Sequence, residues 1–135
     1  MNHRDTETQR IPEIVNGVSG QIVDAAFRVH SQLGPGLLES VYEACLVYEL
    51  RKRQLNVAAQ VELPVVYDNT RLDRGFRVDL LVEQCVIVEL KAVEAIIPVH
   101  KAQLLTYLKL SGYRAGLLIN FNVPLIKHGI QRIVL

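Results

Sequence analysis

The sequence is poor in cysteine, in aromatic residues and in long apolar runs. Its 135 residues include two cysteines and no tryptophan. Two cysteines without partner spacing argue against a disulfide framework and against a cysteine-ligated zinc site. No apolar run approaches the roughly 20 residues that span a bilayer, and the N-terminal MNHRDTETQR contains no apolar core of an export signal. We therefore expect a cytoplasmic protein with no membrane partner.

An excess of charge of one sign is also missing. The 15 basic and 14 acidic residues leave a formal net charge of +1, so no overall basic surface indicates a nucleic-acid binder, although a local patch would suffice. Half of the residues are hydrophobic, which is typical of a globular chain, and the length fits one domain with a sizeable core. We predict a flexible polar tail over residues 1–10 and a single domain over residues 11–135.

The first half of the chain has helical periodicity. One helix is predicted from Ser19 and a second from about Leu37 to Arg53, separated by the turn-forming Gly34-Pro35-Gly36. The apolar faces are predicted to be Ile22, Ala25, Ala26, Val29 and Leu33 in the first helix and Leu38, Val41, Tyr42 and Cys45 in the second. We expect His30 at the surface, and Tyr42 in the core with its hydroxyl near the functional site.

From Val57 the period changes to two, which predicts strands. Pro64 within the first of them indicates an edge strand or a bulge. Two further strands follow in GFRVDLLVEQCVIVELK, then a helix from Pro98, a short apolar strand over 115–120 and a last strand near the C-terminus. The order α-α-β-β-β-α-β, with a final β, predicts an α/β (α+β) fold in which helices flank a central mixed sheet.

Three charged residues, Asp79, Glu89 and Lys91, interrupt the apolar strands of that stretch. An ionised group in a buried strand is costly unless it is paired or binds a metal. Glu89 and Lys91 share a face, about 6.6 Å apart along the strand. Two carboxylates suit a divalent cation such as Mg²⁺, and an ammonium can orient water or stabilise charge on phosphorus. The alternative is an exposed Glu89–Lys91 ion pair with Asp79 at a strand end.

A shared metal site imposes a condition on the turn between these strands. A plain two-residue turn at Glu83-Gln84 would pair Asp79 with Val88 and send the two carboxylates to opposite faces. The hypothesis therefore predicts an odd-length loop such as Glu83-Gln84-Cys85, a bulge or a strongly twisted strand end.

The spacing of Asp79 and the Glu-x-Lys at Glu89 and Lys91 resembles the PD-(D/E)XK nuclease superfamily, which has an αβββαβ core. The superfamily's Pro-Asp is Val78-Asp79 here. The segment GLLESVY over 36–42 matches the motif of the GxxExxY family, and LGPGLLESVYEACL, GFRVDLLV, VIVELKAVE and LLINFNVPL are similar to that family as well. The resemblance covers residues 18 to 135.

The resemblance implies a metal-dependent nuclease and a set of site residues. Asp79, Glu89 and Lys91 would be catalytic, and Mg²⁺ or Mn²⁺ would be held by Asp79, Glu89 and Glu39, with the carbonyl of Leu90 as a further ligand. Gln103 and Tyr107 are similar to the Q-x-x-x-Y signature of RecB-like members and would position substrate. The expected partner is nucleic acid, DNA in preference to RNA.

A second hypothesis comes from another class. The chain would be a non-catalytic binding or assembly module that is homo-oligomeric and keeps the nuclease fold without turnover. A homodimer is also compatible with the nuclease, because a two-fold arrangement would supply the substrate grip that one near-neutral subunit lacks. A basic strip leading to the acidic residues would favour the nuclease, and a large apolar patch across them would favour the module.

Overall fold

The computed structural model describes residues 11–135. The elements are helices α1 (Glu13–Leu33), α2 (Glu39–Lys52) and α3 (Pro98–Ser111), strands β1 (Val57–Tyr67), β2 (Thr70–Val82), β3 (Val86–Lys91), β4 (Ala115–Asn120) and β5 (Ile130–Val134), and a short 3₁₀ helix (Ile126–His128). The predicted order of elements is confirmed, including the final strand. The tail predicted over residues 1–10 lies outside the described residues.

The five strands form one mixed sheet in the order β1-β2-β3-β4-β5. β3 and β4 are parallel and are joined through α3, whereas the other neighbouring pairs are antiparallel. This arrangement confirms the predicted α/β (α+β) class with a single small domain. Over residues 11–135, none of the helices has the length and apolar character needed to cross a membrane.

The sheet separates two hydrophobic clusters of unequal size. The larger lies between the sheet and helices α1 and α2, and the smaller lies between the sheet and α3. Alternation along β3 assigns its residues to the two layers: Val88 and Leu90 join the larger cluster, and Ile87 joins the smaller. Glu89 and Lys91 therefore lie on the α3 side of the sheet.

Helix α1 differs from the prediction at its start and at His30. It begins at Glu13 because Val15 and Val18 extend the apolar stripe upstream of Ser19. The expectation that His30 is at the surface is wrong. The residue is 8% exposed, and its Nε2 lies 2.8 Å from the carbonyl oxygen of Val123. Its position four residues after the buried Ala26 places it on the buried face.

The turn before α2 is held by Tyr42. Its ring is buried and stacks on Phe121, with centroids 4.6 Å apart, so the predicted core position is confirmed. Its hydroxyl donates a hydrogen bond to the Gly34 carbonyl (2.6 Å) and accepts one from the Leu37 N–H (3.1 Å). The hydroxyl thus fixes the turn that precedes Glu39, and its expected position near the functional site stays a prediction. The predicted apolar face of α2 is also shifted, because Leu38 is 74% exposed, whereas Tyr42, Leu46, Glu49 and Leu50 are buried.

β1 is an edge strand with a bulge, as Pro64 predicted. Its register with β2 shifts between Pro64 and Val65. Gly75 lies opposite Pro64, and a Cβ at this position would stand 1.8 Å from the carbonyl oxygen of Leu63. Only glycine permits the two backbones to approach this closely.

The hairpin of β1 and β2 changes faces near Asp79. Leu80 and Val82 pack in the larger cluster, whereas Phe76 and Val78 contact the smaller one, so strict alternation is broken between Val78 and Leu80. On β1 the break coincides with Gln60, which has a φ of +54° and lies between the paired residues Ala59 and Val61. A positive φ is uncommon for a residue other than glycine and is found at such local breaks. Asp79 therefore lies where the regular ladder is interrupted.

Candidate active site

The turn between β2 and β3 meets the condition for a shared acidic site. The register pairs Leu80 with Val88 and Val82 with Val86, which leaves the three-residue loop Glu83-Gln84-Cys85. The predicted odd-length loop is confirmed. One further step along this register places Asp79 opposite Glu89, and directly opposed residues share a face.

The two carboxylates replace the backbone hydrogen bonds where the ladder stops. Regular pairing of β2 with β3 ends at Leu80 and Val88. Beyond it, the Asp79 carboxylate accepts a hydrogen bond from the Leu90 N–H at 2.8 Å, and Oε1 of Glu89 accepts one from the Asp79 N–H at 3.3 Å. Each carboxylate is thus held by the backbone of the opposite strand, which fixes both at the same edge of the smaller cluster.

Glu89 carries the largest electrostatic perturbation of the site. Its residue is 6% exposed, and burial is the main cause that raises the pKa of its carboxyl group to about 8. The neighbouring Asp79 raises this pKa further by like-charge repulsion and by a hydrogen bond between the two side chains. Lys91 acts in the opposite direction, as the last of the causes. Without a cation, burial and the charge of Asp79 therefore both favour the protonated form of Glu89.

Glu39 approaches this pair from the first turn of α2. Partial burial and the charge of Asp79 raise the pKa of its carboxyl group, and Lys91 lowers it in part. Glu43, one turn later, raises it slightly more and accepts a hydrogen bond from the Gln60 side chain at 2.7 Å. The charges of Asp79 and Lys91 act on the carboxyl groups of both Glu39 and Glu89, so these four side chains lie in one region of the structure.

Helix α3 adds Tyr107 to the same place. Burial, Glu89 and Asp79, in that order, raise the pKa of its phenol. Gln103 is exposed, and its relation to the site rests on its helical spacing of four from Tyr107. His100, in the first turn of α3, accepts a hydrogen bond at Nδ1 from the Ile97 N–H at 3.2 Å.

The donor set fits a divalent cation with two protein carboxylates. Within residues 11–135, no group of three or more His, Cys, Asp and Glu side chains is placed so that it could hold a metal ion. Mg²⁺ needs no such group of three, since it is typically bound through one or two carboxylates and keeps several waters. Asp79 and Glu89 are the two carboxyl groups that lie close enough together to be such ligands. The role of Glu39 as a third ligand stays a prediction.

The comparison with protein families decides the lineage of this site. A family model described as the PD-(D/E)XK nuclease superfamily matches residues 16–133. The chain belongs to this superfamily. Neither the curated proteins nor the solved structures contain a match. Membership assigns the chain a nuclease-like function, and PD-(D/E)XK nucleases generally act on nucleic acids and use divalent metals.

One residue at this PD-(D/E)XK site was missed by sequence reasoning. Phe76 of β2 stacks on Tyr107, with ring centroids 4.4 Å apart and planes inclined by 15°. It reaches α3 because the strand changes faces before Asp79. Strict alternation from Leu80 would place Phe76 in the larger cluster, so no sequence pattern indicated this contact.

Proposed function

We propose that the protein is a metal-dependent nuclease that hydrolyses phosphodiesters at the Asp79–Glu89–Lys91 site. The observation that carries the proposal is the pairing of two carboxyl groups across the β2–β3 turn, where the pKa of Glu89 rises to about 8 because burial and Asp79 both oppose its charge. A divalent cation would remove that opposition. A carboxylate pair that folding brings together at such a cost is typical of functional sites.

The chain's own residues would divide the work as follows. Asp79 and Glu89 would hold Mg²⁺ or Mn²⁺, with Glu39 completing the acidic shell. The cation would supply Lewis-acid stabilisation of negative charge on the phosphate. Lys91, whose charge acts on Glu39 and Glu89, would orient the attacking water or stabilise the developing charge. Tyr107 and Gln103 would position the substrate by hydrogen bonds from α3.

The finer assignment to the GxxExxY family is supported by a physical role for each residue of its motif. Gly36 has a φ of +99°, which favours glycine. Glu39 lies in the field of Asp79 and Lys91. Tyr42 bonds the turn through its hydroxyl and anchors α2 in the core. The motif therefore fixes the turn before α2 and the position of Glu39, the first residue of that helix, near Asp79 of β2 and Lys91 of β3.

DNA is the proposed substrate in preference to RNA, and a homodimer is the proposed active form. The net charge of +1 offers one subunit little electrostatic grip on a phosphate backbone. A second subunit would double the contacts without changing the site. Sedimentation with and without a DNA duplex tests this state directly, and a monomer on DNA would contradict it.

The test of the nuclease is cleavage of labelled single- and double-stranded DNA and RNA with Mg²⁺ or Mn²⁺. Wild-type protein is expected to cleave, with loss on chelation. Lys91→Ala and Asp79→Asn are each expected to lower the rate by at least about 100-fold, because each removes a charge that acts on the reacting phosphate or its cation. Lys109→Ala in the last turn of α3 and Asp68→Asn in the β1–β2 turn are the matched controls and should retain activity.

The possible results separate the hypotheses. Cleavage that survives in both site variants would come from a contaminant and would contradict the proposal. Wild-type protein that neither cleaves nor binds Mn²⁺ would instead favour the non-catalytic binding module. The four variants should be compared at a temperature at which circular dichroism shows all of them folded.

A further inference from the structure

Asn120, the last residue of β4, is a buried polar residue that the proposed mechanism does not use. It is 2% exposed and follows the fully buried Ile119. A buried amide is costly unless its donor and acceptor both find partners. The hydrogen-bond partners of the Asn120 amide therefore indicate which segments of the chain it holds in place.

The amide of Asn120 behaves like the peptide group of an added strand residue. Its Nδ2 donates a hydrogen bond to the Val93 carbonyl at 2.9 Å, and its Oδ1 accepts one from the Val93 N–H at 3.1 Å. The same Oδ1 accepts a second hydrogen bond, from the Asn122 N–H at 3.2 Å, so the side chain makes three in all. One side chain thus ties the segment that leaves β3 to the segment that leaves β4.

Lys91 lies between this anchor and the acidic pair. It is the register partner of Asn120 in the parallel β3–β4 ladder, and its carbonyl accepts a hydrogen bond from the Phe121 N–H at 3.0 Å. On the other side β2 has left the ladder, and the Leu90 N–H is bound by the Asp79 carboxylate. The backbone that carries Lys91 is therefore fixed before it by Asp79 and after it, at Val93, by Asn120.

We propose that Asn120 is a positioning residue for Lys91, holding the end of β3 so that the lysine side chain stays on the α3 side of the sheet, on the same face as Glu89. Its catalytic consequence rests on the proposed nuclease function. The competing explanation is that Asn120 is a satisfied core residue that contributes to stability alone. If Asn120 positions Lys91, substituting Asn120 should change the activity and reactivity of Lys91 more than an equally destabilising substitution elsewhere in β4. If Asn120 contributes to stability alone, the two substitutions should have equal effects.

A kinetic test uses Asn120→Ala, Asn120→Asp and Leu117→Ala. Leu117 lies in the same strand but packs in the larger cluster on the opposite side of the sheet, so it is the matched control for lost stability. Asn120→Ala is expected to lower kcat by about 10- to 100-fold with KM little changed, as for other residues that orient a catalytic group. Asn120→Asp keeps the acceptor but sets a buried carboxylate oxygen against the Val93 carbonyl oxygen, so its loss should be at least as large as that of Asn120→Ala.

Additivity gives a sharper readout. In the Lys91→Ala background, Asn120→Ala is expected to cause no further loss of single-turnover rate, because its effect acts through the missing side chain. Equal losses of kcat in Asn120→Ala and Leu117→Ala, or full additivity with Lys91→Ala, would overturn the proposal. All rates are compared where thermal scans show the variants folded.

A second measurement does not depend on cleavage. Trace acetylation of the native protein with an amine-reactive reagent, read by peptide mass spectrometry, reports the reactivity of Lys91 relative to Lys109. Asn120→Ala is expected to raise this ratio by at least about threefold, because the end of β3 opens locally, while Leu117→Ala leaves it unchanged. An unchanged ratio in Asn120→Ala would overturn the positioning role. A raised ratio in Asn120→Ala, together with a wild-type protein that lacks nuclease activity, would uphold the positioning and reject only the proposed function.

Discussion

Glu49 of α2 and Glu89 of β3 are both almost buried, at 9% and 6% exposure, yet their surroundings carry opposite charge. Oε1 of Glu49 lies 3.5 Å from Nε of Arg28 and 3.8 Å from Nη2 of Arg53. Glu89 instead faces the carboxyl group of Asp79, and its pKa rises to about 8. Burial is common to both, so burial alone does not mark the functional residue. What distinguishes Glu89 as a candidate functional residue is that its nearest charged neighbour, Asp79, has the same sign of charge.

The same contrast separates the two faces of the sheet. On the side of α1 and α2, the buried Glu49 is compensated by Arg28 and Arg53, and the larger cluster contains most of the buried hydrophobic residues. On the side of α3, the smaller cluster ends at a carboxylate pair whose charge the chain compensates only in part through Lys91. The first face mainly stabilises the fold. On the second face, the negative charge of the Asp79–Glu89 pair is fully compensated only when a proton or a cation is bound.

The largest change in stability is expected for Glu89→Gln, which removes the like-charge repulsion between Asp79 and Glu89. In the absence of metal, the folded pKa of Glu89 lies above its unfolded value, so the folded state binds the extra proton and stability falls as pH rises from about 4.5 towards 8. Glutamine removes this loss and can still accept the hydrogen bond from the Asp79 N–H. We expect the variant to be more stable than wild type by about 2–4 kcal/mol near pH 8, measured by urea denaturation.

Two further results would sharpen that measurement. Mg²⁺ should stabilise wild type at pH 8 by binding the folded state and should have little effect on Glu89→Gln. A residual slope of the same sign should remain in the variant, because the pKa of Glu39 is also raised. Parallel stability curves for wild type and variant from pH 5 to 8.5 would contradict the assignment of this proton to the pair.

The matched change on the other face, Glu49→Gln, should act in the opposite direction. It removes the partner of Arg28 and Arg53 and leaves both arginines with less compensation. We expect a loss of about 1–2 kcal/mol, less than for a fully buried pair, because Arg28 is half exposed to solvent. The loss should shrink in 1 M salt, where the Debye length is about 3 Å. A gain in stability on this substitution would remove the contrast between the two faces.

The sequence predicts most of the fold and the central residues of the site. Alternating apolar residues mark β1, and a short continuous apolar run marks β3. Pro64 marks an edge with a bulge, and the requirement that Asp79 and Glu89 share a face predicts the odd loop at Glu83-Gln84-Cys85. These features follow from local rules of period and turn length, which a single sequence contains. The superfamily is confirmed by the family match over residues 16–133. The roles of the site residues stay predictions.

The features that were missed depend on contacts between distant segments. His30 lies on the buried stripe of α1, but the group that satisfies its Nε2, the Val123 carbonyl, is 93 residues away in the chain. Phe76 reaches Tyr107 only because the hairpin changes faces at Asp79 and Gln60. Asn120 looks like any strand-end amide until Val93 is placed beside it. No periodicity encodes these pairings, because each depends on tertiary packing.

The smallest effect, and the most specific, is expected at Tyr107. Burial, Glu89 and Asp79 raise the pKa of its phenol, so removing the charge of Glu89 should move that pKa back towards its ordinary value. The readout is NMR titration of ¹³C-labelled tyrosine above pH 9, with Tyr107→Phe to assign the signal. Glu89→Gln should lower the pKa of Tyr107, whereas Glu49→Gln, which removes an equally buried charge on the other face, should leave it unchanged. Equal shifts in both variants would mean that net charge alone sets the titration, and that the field at α3 does not come from the carboxylate pair.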